Sequence, residues 1–162
     1  MVVIKGKKEG PIIYETPQDL FNTLNKEFEF TLDPCCVKEN AKCKKYFTEK
    51  EDGLSQDWGK DLVFMNPPYG RDIKKWIKKA YDESKKETII VCLLYSATET
   101  NYWHDYIMKS KEIRFIKQRL SFKKLNEQKA NPCMYPSCVV IFDGHNYKHP
   151  NIKSINLKGE EL

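Results

Sequence analysis

The sequence predicts an α/β domain built on a mostly parallel central sheet, and three features predict it. Two near-continuous apolar runs, Leu62-Val63-Phe64-Met65 and Thr88-Ile89-Ile90-Val91-Cys92-Leu93-Leu94, read as strands covered on both faces, as strands flanked by crossover helices are. Between them Ile73, Trp76, Ile77, Ala80 and Tyr81 recur at helical spacing on one face while lysines fill the rest, the pattern of an amphipathic crossover helix. Further on, Ile113-Arg114-Phe115-Ile116 and Ser137 to Phe142 are strand patterns with no helix between them. The parallel series therefore ends in an antiparallel hairpin.

The remaining elements follow in chain order. Residues 1–10 carry few apolar anchors and are expected to be a loose start. Thr16-Pro17-Gln18-Asp19 reads as a helix start, with a hydroxyl N-cap and proline at the first helical position. Leu20, Phe21 and Leu24 face that helix inward, and its first N–H groups can receive an anion. Phe28-Glu29-Phe30-Thr31-Leu32 alternates as a strand and halts at Asp33-Pro34-Cys35-Cys36. Asn40 to Cys43 is expected as a short helix and Lys45 to Thr48 as a short strand, followed by the acidic Glu49, Glu51 and Asp52. Only 33 positions separate Asp33 from Asn66, too few for two crossovers with helices of normal length. The first half of the sheet must be trimmed.

Ser96 to Thr100 forms a polar turn before a helix bearing Tyr102, Trp103, Tyr106 and Ile107, on which His104 is a surface or packed residue. A connection of about twenty residues then carries Arg119, Lys123, Lys124 and Lys129 with Phe122 and Tyr135, and loops of that length are usually functional or disordered. Basic side chains interleaved with aromatics suit contacts to nucleic-acid backbone and bases. Residues 144–162 form a C-terminal extension with no clear site, and neither a repeat nor a linker divides the chain. One domain over 1–162 is expected.

Composition narrows the function classes. The 162 residues are 40% apolar, 31% charged and 12% aromatic, as in an ordinary soluble globular protein. The 28 Lys and Arg against 23 Asp and Glu give a net charge of +5, which permits a polyanion partner without demanding one. No apolar run approaches a membrane span and no signal-peptide pattern opens the chain, so a cytoplasmic protein with no membrane partner is expected. Six cysteines at 35, 36, 43, 92, 133 and 138 read as reduced, partly buried thiols. Cys133, Cys138, His145 and His149 can be written as a zinc set, but the strand-like Val139 to Phe142 would hold the two pairs apart. No metal is expected. No glycine lies between residues 11 and 52, so the dinucleotide fingerprint and the P-loop are both missing and redox-cofactor and triphosphate chemistry lose weight.

The chemistry concentrates at Asn66-Pro67-Pro68-Tyr69-Gly70. Two prolines stop the strand, because proline cannot donate to a ladder and forces its predecessor out of helix. In an open α/β sheet the carboxyl ends of the strands are where ligands bind. The hook left there carries an amide, carbonyls of fixed direction and an aromatic face, suited to holding a planar group with an exocyclic amine. A strand end followed by a proline-stiffened turn is the plainer explanation for these residues alone. Asp33, at the end of the preceding strand, is a second ligand-facing candidate, and the two tips are expected on adjacent strands.

With these landmarks in order, the chain resembles the phage-type DNA N6-adenine methyltransferases, members of the S-adenosylmethionine-dependent class I superfamily, over roughly residues 14–143. The resemblance rests on Thr16-Pro17 with Leu20-Phe21, Leu32-Asp33-Pro34-Cys35, Asn40 to Cys43, Asp52-Gly53-Leu54 with Trp58, and Phe64 to Gly70. Trp76, the Leu93 to Thr100 turn, Arg119 to Phe122 and Pro136-Ser137 also match. It implies a Rossmann-like class I methyltransferase fold with S-adenosylmethionine as cofactor and DNA as partner, in a phage or prophage protein; monomer and homodimer both stay open. It implies that Asn66, Pro67, Pro68 and Tyr69 form the catalytic motif, with the Asn66 oxygen and Pro67 carbonyl accepting from the adenine amino group and Tyr69 stacking on the extruded base. Tyr14, Thr16, Pro17, Asp33, Pro34 and Cys35 fall at the cofactor positions, and Asp52 is preferred to Glu49 for the ribose. Arg71, Lys74, Arg119, Lys123, Lys124 and Lys129 are the nucleic-acid-binding candidates. The hook would also suit cytosine N4, an RNA adenine or a protein glutamine, and a non-catalytic nucleic-acid-binding module on the same fold is the alternative of a different class. The glycines usual in the superfamily's first loop are absent, and no separate target-recognition domain is expected.

Overall fold

A computed structural model describes residues 2–4, 12–125 and 127–162. In chain order the elements are β1 (Val2–Ile4), β2 (Ile12–Glu15), α1 (Gln18–Phe28), β3 (Leu32–Asp33), a 3-10 turn (Lys38–Asn40), β4 (Lys45–Tyr46), β5 (Val63–Met65), α2 (Ile73–Ser84), β6 (Ile90–Tyr95) and α3 (Asn101–Asp105). A second 3-10 turn (Ile107–Lys109), β7 (Glu112–Ile116), β8 (Ser121–Lys124), β9 (Ala130–Pro132), β10 (Ser137–Phe142) and β11 (Asn151–Ile155) complete it.

The main sheet has seven strands in the order β11-β7-β10-β6-β5-β3-β4. β4, β3, β5 and β6 run parallel, β10 is antiparallel to both β6 and β7, and β11 pairs with β7 in parallel. Strand parity explains the unbroken apolar runs. Val63 and Met65 of β5, Ile90, Cys92 and Leu94 of β6, and Cys138, Val140 and Phe142 of β10 pack on one face with Trp76, Ile77 and Ala80 of α2 and Trp103 of α3. The intervening Phe64, Val91, Leu93, Val139 and Ile141 pack on the other with Leu20, Phe21 and Leu24 of α1. Both faces are apolar because both are covered. Arg114 on β7 makes two bonds of 2.6 Å to Glu27 at the end of α1, tying the helix to the sheet.

The first half of the sheet is trimmed as expected: β3 and β5 are joined through β4 and a 3-10 turn. Several expectations are corrected. Phe28 ends α1 rather than opening a strand, because Glu29 turns to a left-handed φ of 52° with its N–H on Asn25 O, and the strand is only Leu32–Asp33. Phe28 and Phe30 stack at 5.8 Å, so their alternation marks an aromatic cluster under the helix end, not a ladder. The expected helix at 40–43 is replaced by the turn over Lys38–Asn40. The extension at 144–162, expected to carry no clear site, supplies the edge strand β11 beside β7.

The largest departure is a second sheet, β1-β2-β8-β9, antiparallel throughout. The start of the chain is therefore partly a strand, with Val2 opposite Tyr14, while residues 5–10 lie outside those described. The long connection after β7 is a hairpin whose first strand pairs with β2, Tyr14 opposite Lys124. Pro132 sits on its outer strand, where a missing N–H is tolerated.

Candidate active site

Asn66 continues β5 two residues beyond Phe64, so its side chain extends the face covered by α1, directly above the start of that helix. There Asn66 Nδ2 donates to Thr16 Oγ1 at 2.9 Å. Thr16 thus does not cap α1, which has Pro17 at its N-cap position and no side-chain cap bond; the hydroxyl serves the hook instead. Asn66 is 2% exposed, and its Oδ1 is sealed from solvent with no partner among the described residues. A buried amide oxygen left unpaired costs roughly 1–3 kcal/mol, and such an orphan at the carboxyl edge of a sheet points to a missing ligand donor.

The tip of β3 meets the hook. The Asn66 backbone N–H lies beside the Cys35 thiol, whose pKa burial pushes up to about 12, so the sulfur is a neutral packing group. Asp33, 4% exposed, accepts from Cys35 N at 3.3 Å and Lys42 N at 3.1 Å. Burial raises its carboxyl above the usual range, against the lowering effect of those two N–H groups. Its oxygens hold their own loop, so Asp33 shapes the site through the backbone it pins. Across this loop, a Cβ on Gly53 would lie 2.0 Å from Pro34 O, an approach only glycine allows. Trp58, fully buried, donates from Nε1 to Gly53 O at 2.9 Å. This packing brings exposed Asp52 beside the Asp33 to Cys35 loop.

Pro67 is buried and Pro68 half-buried. Tyr69 donates its hydroxyl proton to Leu93 O at 3.0 Å, and its ring stacks on Tyr95 at 3.7 Å and 19°. Burial raises the pKa of both phenols. Tyr95 continues to Tyr135, centroid to centroid 5.3 Å. Tyr95 went unnoticed in the sequence, although it ends a buried parallel strand as Asn66 does, and the same edge rule would have found it. Tyr14 does not join the hook directly; it lines a small cavity with Tyr95 and Tyr135.

The basic candidates form two groups, one on α2 and its approach and one on the β8–β9 hairpin. Arg71 and Lys74 line a groove between α2 and α3 together with Lys75, Lys78, Glu99 and Asp105. Arg119, Lys123, Lys124 and Lys129 are carried on the β8–β9 hairpin and its approach, where Lys123 lies 3.4 Å from Glu15 and Lys124 3.1 Å from Glu127. Arg119 donates to Met134 O, fixing the segment that leads into β10. Among the described residues no cluster of His, Cys, Asp or Glu is placed to hold a metal ion, and no helix is long and apolar enough to cross a membrane.

Comparison with known proteins bears on what this arrangement does. The chain is 28% identical over 113 residues to the DNA N-6-adenine-methyltransferase of Haemophilus phage HP1, covering 68% of this chain and 65% of the relative. It is 29% identical over 112 residues to the enzyme of the same name from Escherichia phage T1, covering 67% and 46% respectively. The chain thus spans less than two thirds of the length of these two relatives. The family model for DNA N-6-adenine-methyltransferase (Dam) matches residues 5–160, and the chain belongs to that family.

Proposed function

We propose that this chain is a single methyltransferase domain of the class I, Rossmann-like kind that transfers a methyl group from S-adenosylmethionine to the N6 amino group of adenine in DNA. The observation that carries this reading is the orphaned Asn66 Oδ1 at the carboxyl edge of the sheet. The Thr16 bond engages the amide's donor side, which leaves Oδ1 as the group free to accept from a substrate amine. Oδ1 and the Pro67 carbonyl would each accept one N–H of the adenine amino group, drawing the nitrogen lone pair out of conjugation and fixing its direction. This is rate enhancement by preorganised dipoles and positioning, with no charged general base required.

The donor's chemistry is an electrophilic sulfonium methyl. The residues present fit such a group: the Asp33 to Cys35 loop meets the hook, Thr16-Pro17 stands over it, and exposed Asp52 is available for a ribose diol. The base would be flipped out of the helix to reach Asn66, with Tyr69 stacking on it. Arg71 and Lys74 of the first basic group, and Arg119, Lys123, Lys124 and Lys129 of the second, would contact the DNA backbone. Bacterial cytoplasm, as in a phage infection, is the setting this reading implies.

Asn66→Ala tests the assignment. Methyl transfer to DNA is expected to fall at least about 100-fold, the cost of removing one preorganised dipole, while S-adenosylmethionine affinity by calorimetry stays within about threefold of wild type, a shift under 1 kcal/mol. Full transfer activity in this variant would refute the role.

A further inference from the structure

A cavity of about 160 Å3 lies beside the hook, between the second sheet and the end of β6. Tyr14 of β2, Tyr95 of β6, Phe122 of β8 and Tyr135 wall it, with Asn131 and Met134 at its rim. Its described lining includes none of residues 66–69, so it is separate from the hook. The two sites are nonetheless joined through one ring: Tyr95 stacks on Tyr69 on one side and meets Tyr135 at 5.3 Å and 39° on the other. At 3.7 Å the Tyr69–Tyr95 stack leaves no room for a base between them. Beyond Tyr95 the cavity opens against the rings of Tyr14, Phe122 and Tyr135, where a flat ring can lie.

Size, lining and charge agree on the occupant. The volume is well below the roughly 300–1,000 Å3 of pockets that take whole small molecules, and suits a single ring system. Aromatic walls from three strands offer stacking, which every nucleobase can use. Asn131, exposed on the outer strand β9, carries one donor and one acceptor, the pair that reads a base edge. Met134 and Tyr135 are 83% and 57% exposed, large apolar surface held at the mouth by the Arg119 bond to Met134 O. Lys123, Lys124 and Lys129 on the same hairpin give the surroundings the sign that a phosphate backbone requires.

We propose that this cavity is a second nucleobase subsite, which takes the base next to the methylated adenine on the same strand and reads its edge through Asn131. The proposal rests on the adenine-methyltransferase reading above. It places sequence choice in the second sheet that the amino-terminal strands and the β8–β9 hairpin build together.

The test uses the full chain, S-adenosylmethionine and a pool of single-stranded oligonucleotides with one central adenine and randomised neighbours free of adenine. Methylated molecules are captured and sequenced. Wild type is expected to enrich one base at one adjacent position by about fivefold or more, the discrimination of one good base-edge contact. Tyr135→Ala and Asn131→Ala are each expected to bring that enrichment below about twofold, and Tyr135→Phe, which keeps the stacking face, to retain it. Methylation without bias at either neighbour, or a bias unchanged in both variants, would overturn the subsite and leave the adenine reading standing. Transfer to adenine in duplex DNA but not in this pool would overturn the subsite, and transfer to adenine in neither would overturn the adenine reading with it.

Discussion

Replacing Thr16 by valine keeps the shape of the side chain and removes its oxygen. The Asn66 Nδ2 bond of 2.9 Å would then have no acceptor in a site where Asn66 is 2% exposed. Two amide orientations remain. The one that points Oδ1 at the reacting space leaves a buried N–H unpaired; the flipped one presents a donor to the donor amine of the substrate and is unproductive. Holding the productive orientation therefore costs roughly 1–3 kcal/mol. At about 1.4 kcal/mol per tenfold in rate, this corresponds to a loss of about 5- to 150-fold. The loss should fall on kcat, because the bond to the amine matters most as its nitrogen becomes nucleophilic. The assay is initial-rate transfer of a radiolabelled methyl group to unmethylated DNA, with donor affinity measured separately by calorimetry. Thr16→Ser, which restores the acceptor, should recover most of the rate. A Thr16→Val rate within about twofold of wild type, under 0.5 kcal/mol, would refute the positioning argument. A loss residing wholly in donor affinity would move Thr16 to the cofactor's side of the site.

Two further outcomes concern the scaffold. Gly53→Ala would drive a Cβ to within 2.0 Å of Pro34 O, so the loop must shift; destabilisation of roughly 1–3 kcal/mol is expected in a urea melt, with weakened donor binding, and an unchanged midpoint would show the approach to be looser than described. Glu112 experiences burial, which raises its carboxyl pKa, but bonds from Arg114 and Asn151 outweigh it and hold the net value below 4.5. A carboxyl depressed in the folded state stabilises above its unfolded pKa and loses that contribution as pH falls through the folded one. Glu112→Gln should accordingly flatten the decline of stability below pH 4.5, measured as urea midpoint against pH, and an unchanged slope would refute the assignment.

What could be read from the sequence follows physical locality. β5, α2 and β6 were legible because each announces itself within one window: apolar runs covered on both faces and a helix with one apolar stripe. The adjacency of the Asp33 and Asn66 tips followed from strand order, and β3 does pair with β5. Thr16 was misjudged because Thr-Pro is a strong local capping signal, while its actual partner lies 50 residues away. The same distance effect hid the second sheet, since β8 finds its partner in β2, more than a hundred residues earlier in the chain. Asp33 was read as facing a ligand because Asp-Pro ends a strand, yet its carboxylate turns back onto Cys35 N and Lys42 N. Gly53 stands out in the sequence only as part of the Asp52-Gly53-Leu54 landmark, because what requires it is the approach of Pro34 in space and not any neighbour in sequence.

The most direct measurement is to incubate the protein with methyl-labelled S-adenosylmethionine and unmethylated DNA, digest the DNA to nucleosides, and identify the labelled species by chromatography and mass spectrometry. The geometry at Asn66 and Pro67, in a chain of this family, predicts N6-methyldeoxyadenosine, with no label in the Asn66→Ala reaction. Label recovered as N4-methyldeoxycytidine, in RNA or in protein, or no transfer despite measurable donor binding, would contradict it.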